Sequence, residues 1–141
     1  MSIAQSIADL GCVSPDPALQ ERHLVRVGDG ALCARPYTPK DNSFNGMPEG
    51  TECIFLHHLQ SLKRGGGTEA LKCLIDISDT HCAPIVLSPN PYPTALYPVP
   101  LTQEDLITYY KRFGFEPLVA QRPGKWIATL LIRLPVDKHT L

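Results

Sequence analysis

A glycine-rich segment with two cations is the part of this chain whose residues most clearly suggest chemistry. Residues 60–71 read Gln-Ser-Leu-Lys-Arg-Gly-Gly-Gly-Thr-Glu-Ala-Leu and stand between an apolar run and a segment with helical spacing. Glycines let the backbone approach a ligand closely, and the first N–H groups of a helix are unpaired donors at the positive end of its dipole. With Lys63 and Arg64 beside it, this loop could hold phosphate. Such loops also make ordinary strand-to-helix turns, so the rest of the chain must decide.

Other site chemistries find little support in the spacing. A nucleotide-binding P-loop is excluded because Lys63 precedes the glycines and no Gly-x-x-x-x-Gly-Lys-Ser/Thr sequence occurs. The five cysteines, at 12, 33, 53, 73 and 82, form no Cys-x-x-Cys pair and are expected to be reduced, mostly buried thiols. His57 and His58 are adjacent on a predicted strand, where neighbouring side chains point to opposite faces, so no shared metal ion is expected.

Composition and charge indicate one soluble domain. A chain of 141 residues with 43% hydrophobic content can bury a single sizeable core but hardly two. The formal net charge is −1 with scattered cations, which disfavours a nucleic-acid groove or a polybasic membrane patch. No run approaches the roughly 20 apolar residues of a membrane span, and the start lacks a basic leader. We therefore expect a cytosolic protein, either a monomer or a homodimer.

The first half of the chain predicts a helix, a hairpin and a long strand. Apolar residues at helical spacing indicate a helix over 2–10 that ends at Gly11. Residues 23–27 and 31–35 read as two strands around a glycine-bearing tight turn. Residues 51–59 are rich in β-formers and long enough for a central strand, which leads directly into the glycine loop.

The second half alternates helices and strands. A helix from Thr68 is expected to bury Ala70, Leu71, Leu74, Ile75 and Ser78, with Lys72, Asp76 and Asp79 on its other faces. A buried strand over 84–88 and a proline-rich connection precede a second helix, which Thr102 caps and Gly114 ends. Residues 115–120 and 126–134 complete a mixed α/β sheet as two strands joined by a turn.

Two separated segments resemble the GNAT acetyltransferases. Gly65-Gly-Gly-Thr-Glu-Ala-Leu71 resembles their acyl-CoA-binding loop, and Tyr109-Tyr-Lys-Arg-Phe-Gly-Phe115 resembles their Phe-Tyr-x-x-x-Gly-Phe element at the end of the next helix. The resemblance is closest to short acetyltransferase-like proteins of bacteria and phages. It implies one domain over 1–141 with a mixed, mostly antiparallel sheet flanked by helices. Residues 51–134 would form the acyl-CoA-binding core, and residues 1–50 a reduced acceptor part.

This resemblance also implies a binding site for acetyl-CoA. The strand before the loop would line the pantetheine arm through its backbone, and the loop N–H groups would take the pyrophosphate. The residues so implied are Leu56, His57, Leu59, Lys63, Arg64, Gly65, Gly66, Gly67, Thr68 and Gln103.

Catalytic roles follow from the same resemblance. Tyr110 takes the family position whose hydroxyl protonates the departing thiolate, and a phenol with a pKa near 10 is a suitable acid for that step. The attacking amine must be neutral, so Glu52, His57 and His58 are the candidates for a base. Each has a structural alternative, since Tyr110 could be a core aromatic, the histidines could be one exposed and one buried residue, and Glu52 could be solvated.

The chain departs from the family at several positions. Leu62 stands where the family loop has Gln or Arg, and Gln103 stands where its last helix often has Asn. The short start could lack the family's first strand. The connection over 88–101 is long and rich in proline, so Tyr92 and Tyr97 could rebuild the acceptor side.

Two functions of different class therefore remain open. The first is an acyl-CoA-dependent N-acetyltransferase that transfers an acetyl group to an amine by direct attack. The second is a catalytically weak or inactive acetyltransferase-like protein that binds and modulates another protein, for example a phage host-modulating factor. The Leu62 position and the reduced N-terminal part favour the second.

Overall fold

A seven-stranded sheet organises the part of the chain that the structure describes. The structure is a computed structural model, which describes residues 2–13, 24–39, 44–48, 50–94, 96–119 and 130–136. The strands of the described part are β1 (Cys12–Val13), β2 (Val25–Val27), β3 (Gly30–Tyr37), β4 (Cys53–Ser61), β5 (Ile85–Leu87), β6 (Glu116–Pro117) and β7 (Leu131–Arg133). Their order across the sheet is β1-β2-β3-β4-β5-β7-β6, and β4 with β5 is the parallel pair in an otherwise antiparallel sheet. The predicted mixed, mostly antiparallel sheet is confirmed.

The N-terminal helix and hairpin lie where the sequence predicts them. Helix α1 (Ile3–Leu10) begins after Ser2, whose hydroxyl accepts a hydrogen bond from the Gln5 N–H, and it buries Ile3 and Ile7. Strands β2 and β3 pair as an antiparallel hairpin. A further short strand, β1, pairs antiparallel with β2 at the edge of the sheet.

One helix connects the two parallel strands. Helix α2 (Gly66–His81) follows β4, and its buried residues include Ala70, Leu71, Leu74 and Ser78, as predicted. The prediction for Asp79 was wrong, because this carboxylate is buried. It accepts a hydrogen bond from Arg133 Nη1 at 2.8 Å, and the pair joins α2 to β7. A buried charge is tolerated only with such a partner.

The last helix begins and ends as its sequence indicates. Helix α3 (Gln103–Lys111) is capped by Thr102, whose hydroxyl accepts from the Asp105 N–H at 3.1 Å. Gly114 adopts a φ of +91°, the left-handed conformation expected after the helix. Strands β6 and β7 pair antiparallel; β6 is shorter than predicted, and β7 ends at Arg133. The predicted strand start at Trp126 and the turn over 122–125 lie outside the described residues.

The thiols are less buried than expected. Of the described cysteine side chains, Cys53 is buried, Cys33 and Cys73 are half-buried and Cys82 is exposed, all as free thiols. Burial raises the pKa of Cys53 to about 11, with a smaller contribution from Glu52, so this thiol is protonated at neutral pH.

No helix in the described ranges combines the length and the apolar character that a bilayer crossing requires.

Candidate functional site

Strand β5 pairs with only the first half of β4, so one edge of the second half of β4 has no neighbouring strand in the described part of the chain. The parallel pairing between β4 and β5 runs from Ile54 opposite Ile85 to Leu56 opposite Leu87. Strand β4 then continues to Ser61, whereas β5 ends at Leu87, two residues before the buried Pro89. A proline cannot donate to a sheet ladder, so the pairing stops there. The backbone of Leu59 therefore faces a gap at the edge of β4.

A β-bulge lies at the start of this gap. Along β3, Cys33 is opposite His58 but Ala34 is opposite Leu56, so His57 is the extra residue of β4. The His57 ring packs against Phe55 at a centroid distance of 4.6 Å, and His58 Nε2 lies 2.9 Å from Gln60 Oε1.

The bulge overturns the expected orientation of the two histidines. Phe55, His58 and Gln60 all stand opposite odd-numbered β3 residues and thus share one face of the sheet. Because His57 packs on Phe55, both histidines lie on that face. The described residues nevertheless contain no group of three or more His, Cys, Asp or Glu side chains that could hold a metal ion. Burial lowers the pKa of His57, and the charge of Arg35 lowers it further, which favours a neutral imidazole.

Tyr110 lies in the core beside the gap. Its side chain is 8% exposed, and its ring makes edge contacts with Tyr109 and Phe115 at 5.2 and 5.4 Å between centroids. Burial raises the pKa of Tyr110 well above its ordinary value, and the nearby hydroxyls of Tyr92 and Tyr109 add to this shift. The phenol is therefore protonated across the physiological range, and in a proton transfer it would act as the acid.

Tyr92 links the predicted residues in a way the sequence does not reveal. The Leu59 N–H donates to the Tyr92 hydroxyl at 2.9 Å, and this hydroxyl also contacts the Leu59 carbonyl oxygen. The Tyr92 ring stacks on His58 with centroids 4.0 Å apart. Tyr92 thus contacts His58 directly and lies near enough to Tyr110 to contribute to its raised pKa. The prolines around Tyr92 indicated a stiff segment, but nothing in the sequence indicated the contact between Tyr92 and Leu59.

The glycine loop is held by the β2–β3 hairpin. Gly65 has a φ of +84° and caps α2, which begins at Gly66. The N–H groups of Leu62 and Lys63 donate to the Asp29 carbonyl oxygen at 2.8 and 3.1 Å. A Cβ on Gly66 would overlap that same carbonyl group. Backbone therefore packs directly on backbone here, which explains the need for a glycine.

Some loop donors are used internally and others are open to a ligand. The Gly67 N–H donates to Ser61 Oγ at 2.8 Å, and the Gly66 N–H donates to the Lys63 carbonyl oxygen. Within the described residues, the N–H groups of Arg64, Gly65 and Thr68 make no protein hydrogen bond. The Lys63 and Arg64 side chains are exposed, and Lys63 Nζ lies 4.0 Å from Asp29 Oδ1. These donors and cations suit a phosphate group.

The remaining predicted residues are placed less closely. Glu52 is exposed and lies six residues before His58 on an extended chain, roughly 20 Å away, so the structure does not bring it near His58. Gln103 is exposed at the first turn of α3. Leu62, at the family's Gln or Arg position, packs with Leu24 and Ala31 as part of a small apolar cluster. The departure at Leu62 therefore contributes to packing.

Replacement of Gly66 by alanine is expected to destabilise the protein by about 3 kcal/mol, because the new methyl group forces the loop away from the hairpin. Gly65→Ala is the matched control, since a Cβ there meets nothing within 4 Å and only the positive φ costs about 1 kcal/mol. Urea denaturation of both variants gives the two free energies of unfolding. Equal losses would show that the contact with Asp29 does not constrain the loop.

Comparison with known proteins adds information on the fold. No protein-family model matches the chain, and no curated protein matches it. Among solved structures, the Bacillus subtilis N-acetyltransferase YlbP in complex with coenzyme A is 15% identical, with 86% of this chain and 79% of that chain covered and a TM-score of 0.52. The anti-CRISPR protein AcrVA5 is 17% identical, with 77% and 94% covered and a TM-score of 0.51.

A third similar structure is Arabidopsis thaliana Naa50 in complex with the bisubstrate analogue CoA-Ac-MVNAL, which is 19% identical with 76% and 66% covered and a TM-score of 0.45. The first two likenesses confirm that the described chain has a GNAT-like fold.

Proposed function

We propose that this chain is an acyl-CoA-dependent N-acetyltransferase that transfers an acetyl group to an amine by direct attack. The observation that carries the proposal is the end of the β4–β5 pairing, where Tyr92 binds the backbone of Leu59 and stacks on His58. Tyr92 also lies close enough to Tyr110 to contribute to its raised pKa. A GNAT-like fold with an unpaired β4 edge and open N–H donors at the start of α2 has the features that an acyl-CoA molecule needs. The solved N-acetyltransferase YlbP, which has the same fold, was determined with coenzyme A.

The residues present fit such a ligand in two places. The open N–H groups of Arg64, Gly65 and Thr68, with the nearby cations, suit the pyrophosphate. The Leu59 edge offers one donor and one acceptor to an amide of the pantetheine arm, although Tyr92 occupies them in this structure. When bound, acetyl-CoA supplies an activated acyl group as a thioester.

The protein's own residues would manage the protons. The amine nitrogen forms its bond to the acyl carbon as the carbon–sulfur bond breaks, and Tyr110 holds the proton that the leaving sulfur needs. Its raised pKa keeps that proton in place at neutral pH. The proton that the amine loses goes to His58, directly or through water. Glu52 is too far from His58 along the strand to take part.

A binding assay tests this proposal directly. Titration calorimetry with coenzyme A and acetyl-CoA is expected to show one site per chain, and thiol release is expected with at least one member of a panel of polyamines, peptides and aminoglycosides. No heat and no thermal stabilisation at millimolar coenzyme A would contradict the proposal.

The loop cations are expected to act on the phosphates alone. In the double variant Lys63→Gln and Arg64→Gln, affinity for coenzyme A is expected to fall about tenfold at low salt, because two exposed charges near the pyrophosphate are lost. Affinity for pantetheine, which carries no phosphate, is expected to stay unchanged. Lys72→Gln, an exposed charge change on α2, is the control. Equal weakening of pantetheine binding would show that Lys63 and Arg64 do not act through the phosphates.

One observation favours the alternative of a protein-binding acetyltransferase-like molecule. The connection between β5 and α3 exposes several large apolar side chains, namely Leu96, Tyr97, Val99 and Leu101. Exposed apolar residues on a stiff, proline-rich loop are suited to a protein partner. Recovery of one stoichiometric partner from cells by a Tyr110→Phe variant, together with no turnover by the wild type, would support this second function.

A further inference from the structure

The hydroxyl group of Tyr92 occupies a backbone position of β4 beyond the end of β5 that a ligand could use. It accepts from the Leu59 N–H at 2.9 Å and also contacts the Leu59 carbonyl oxygen. The ring is half-buried and lies nearly parallel to His58, with an interplanar angle of 20°. A side chain from the β5–α3 connection thus takes the place of a neighbouring strand.

These two backbone groups are also the ones that an extended amide needs. The N–H and C=O of one residue at a strand edge point the same way and pair with a partner amide, as in strand addition. The pantetheine arm of an acyl-CoA contains two such amides. One N–H cannot donate fully to a phenol and to an amide at once, so the closed Tyr92 position and a bound arm exclude each other.

We propose that Tyr92 is a gate on the acyl-CoA site, an inference that rests on the proposed function. In the free protein its hydroxyl group holds the Leu59 edge closed and its ring covers His58. Entry of acyl-CoA requires the side chain to leave, so the bound ligand replaces the bonds of Tyr92 with its own. The apparent affinity for acyl-CoA is the intrinsic affinity multiplied by the fraction of molecules in which the gate is open.

The surrounding prolines determine how the gate opens. Tyr92 stands between Pro91 and Pro93, and Pro89 is buried two residues before Pro91. Proline fixes its own φ and restricts the residue before it to extended conformations, so this segment has few backbone alternatives. Opening therefore occurs by rotation of the Tyr92 side chain, while the loop keeps its course.

Removal of the hydroxyl group tests the gate. Tyr92→Phe keeps the ring and loses both contacts with Leu59, so coenzyme A is expected to bind about three- to tenfold more tightly by calorimetry, the value of roughly one net hydrogen bond. Tyr37→Phe removes an exposed tyrosine hydroxyl near the far end of β4, where Tyr37 is opposite Cys53, and is expected to bind as the wild type does. Hydrogen exchange of the Leu59 amide in the free protein is expected to be faster in Tyr92→Phe.

The possible results separate the gate from the proposed function. Unchanged or weaker binding of coenzyme A by Tyr92→Phe, with the wild type still binding, overturns the gate alone. A fall in kcat of a hundredfold or more at unchanged KM also overturns it, because Tyr92 would then act in proton transfer. Absence of binding by the wild type, Tyr92→Phe and Tyr37→Phe overturns the proposed function and the gate with it.

Discussion

Replacement of Tyr110 by phenylalanine is expected to lower kcat for acetyl transfer by about 10²- to 10⁴-fold, with little change in KM for acetyl-CoA, because a positioned proton donor is lost and the ring remains. The ring contacts with Tyr109 and Phe115 need no hydroxyl group, so the variant is expected to fold normally. Thiol release with a responsive amine measures the effect, and thermal unfolding confirms the fold.

The pH dependence of the wild type adds a second readout for Tyr110. Burial raises the pKa of this phenol above the ordinary value near 10, so the acid form persists as the pH rises. We therefore expect no alkaline fall in kcat below about pH 10. Tyr37→Phe, which removes an exposed tyrosine hydroxyl group opposite Cys53, is the control and is expected to retain kcat. A Tyr110→Phe variant with wild-type turnover would show that Tyr110 is a packing residue.

Replacement of Asp79 by asparagine is expected to lower the free energy of unfolding by about 3–5 kcal/mol, because it leaves the buried Arg133 guanidinium without its counter-charge. Asp79 accepts from Arg133 Nη1 at 2.8 Å and from the Val136 N–H at 2.9 Å. Arg133 Nε also donates to the Phe113 carbonyl oxygen at 2.9 Å. The pair therefore joins α2 and β7 to the end of α3, next to Tyr110. Urea denaturation measures the loss.

Two further variants show whether this loss comes from the broken pair. Asp76→Asn makes the same chemical change at an exposed position on α2 and is expected to lower the free energy of unfolding by no more than about 1 kcal/mol, the upper value for an exposed ion pair. The double variant Asp79→Leu with Arg133→Met removes both charges and is expected to recover much of the stability, since no charge is then left unpaired. A small effect of Asp79→Asn alone would mean that water reaches Arg133 readily.

The ion pair and the glycine loop support the fold towards opposite ends of β4. Arg133 is level with Ile54 of β4 through Ile85, and it binds the segment that follows α3. On the other side, the hairpin carbonyl group of Asp29 fixes the glycine loop. Both supports therefore hold segments next to the proposed site, for which we propose Tyr92 as the gate.

Local patterns in the sequence were sufficient for most elements. The cap at Thr102 and the positive φ of Gly114 depend on neighbouring residues alone, and the structure has them where they were predicted. The resemblance of the glycine loop and the Tyr109–Phe115 segment to GNAT proteins correctly gave the fold. The predicted end of β6 was too late, because pairing partners and not β-propensity decide where a strand ends.

Other features depend on residues that are far apart in the chain, and only the tertiary structure decided them. The helical spacing placed Asp79 away from the buried face of α2. In the structure its carboxylate binds Arg133 of β7, which is 54 positions away in the chain. The bulge at His57 comes from the register between β3 and β4, and it placed both histidines on one face. Tyr92 meets Leu59 across 33 positions.

The sequence by itself thus determined the helices, the central strand and the glycine turn that joins them, because each follows from short-range propensity and spacing. The tertiary structure decided which backbone groups of that loop remain open and which side chain covers the Leu59 edge. These outcomes follow from packing between distant segments, for which a single sequence contains no local signal.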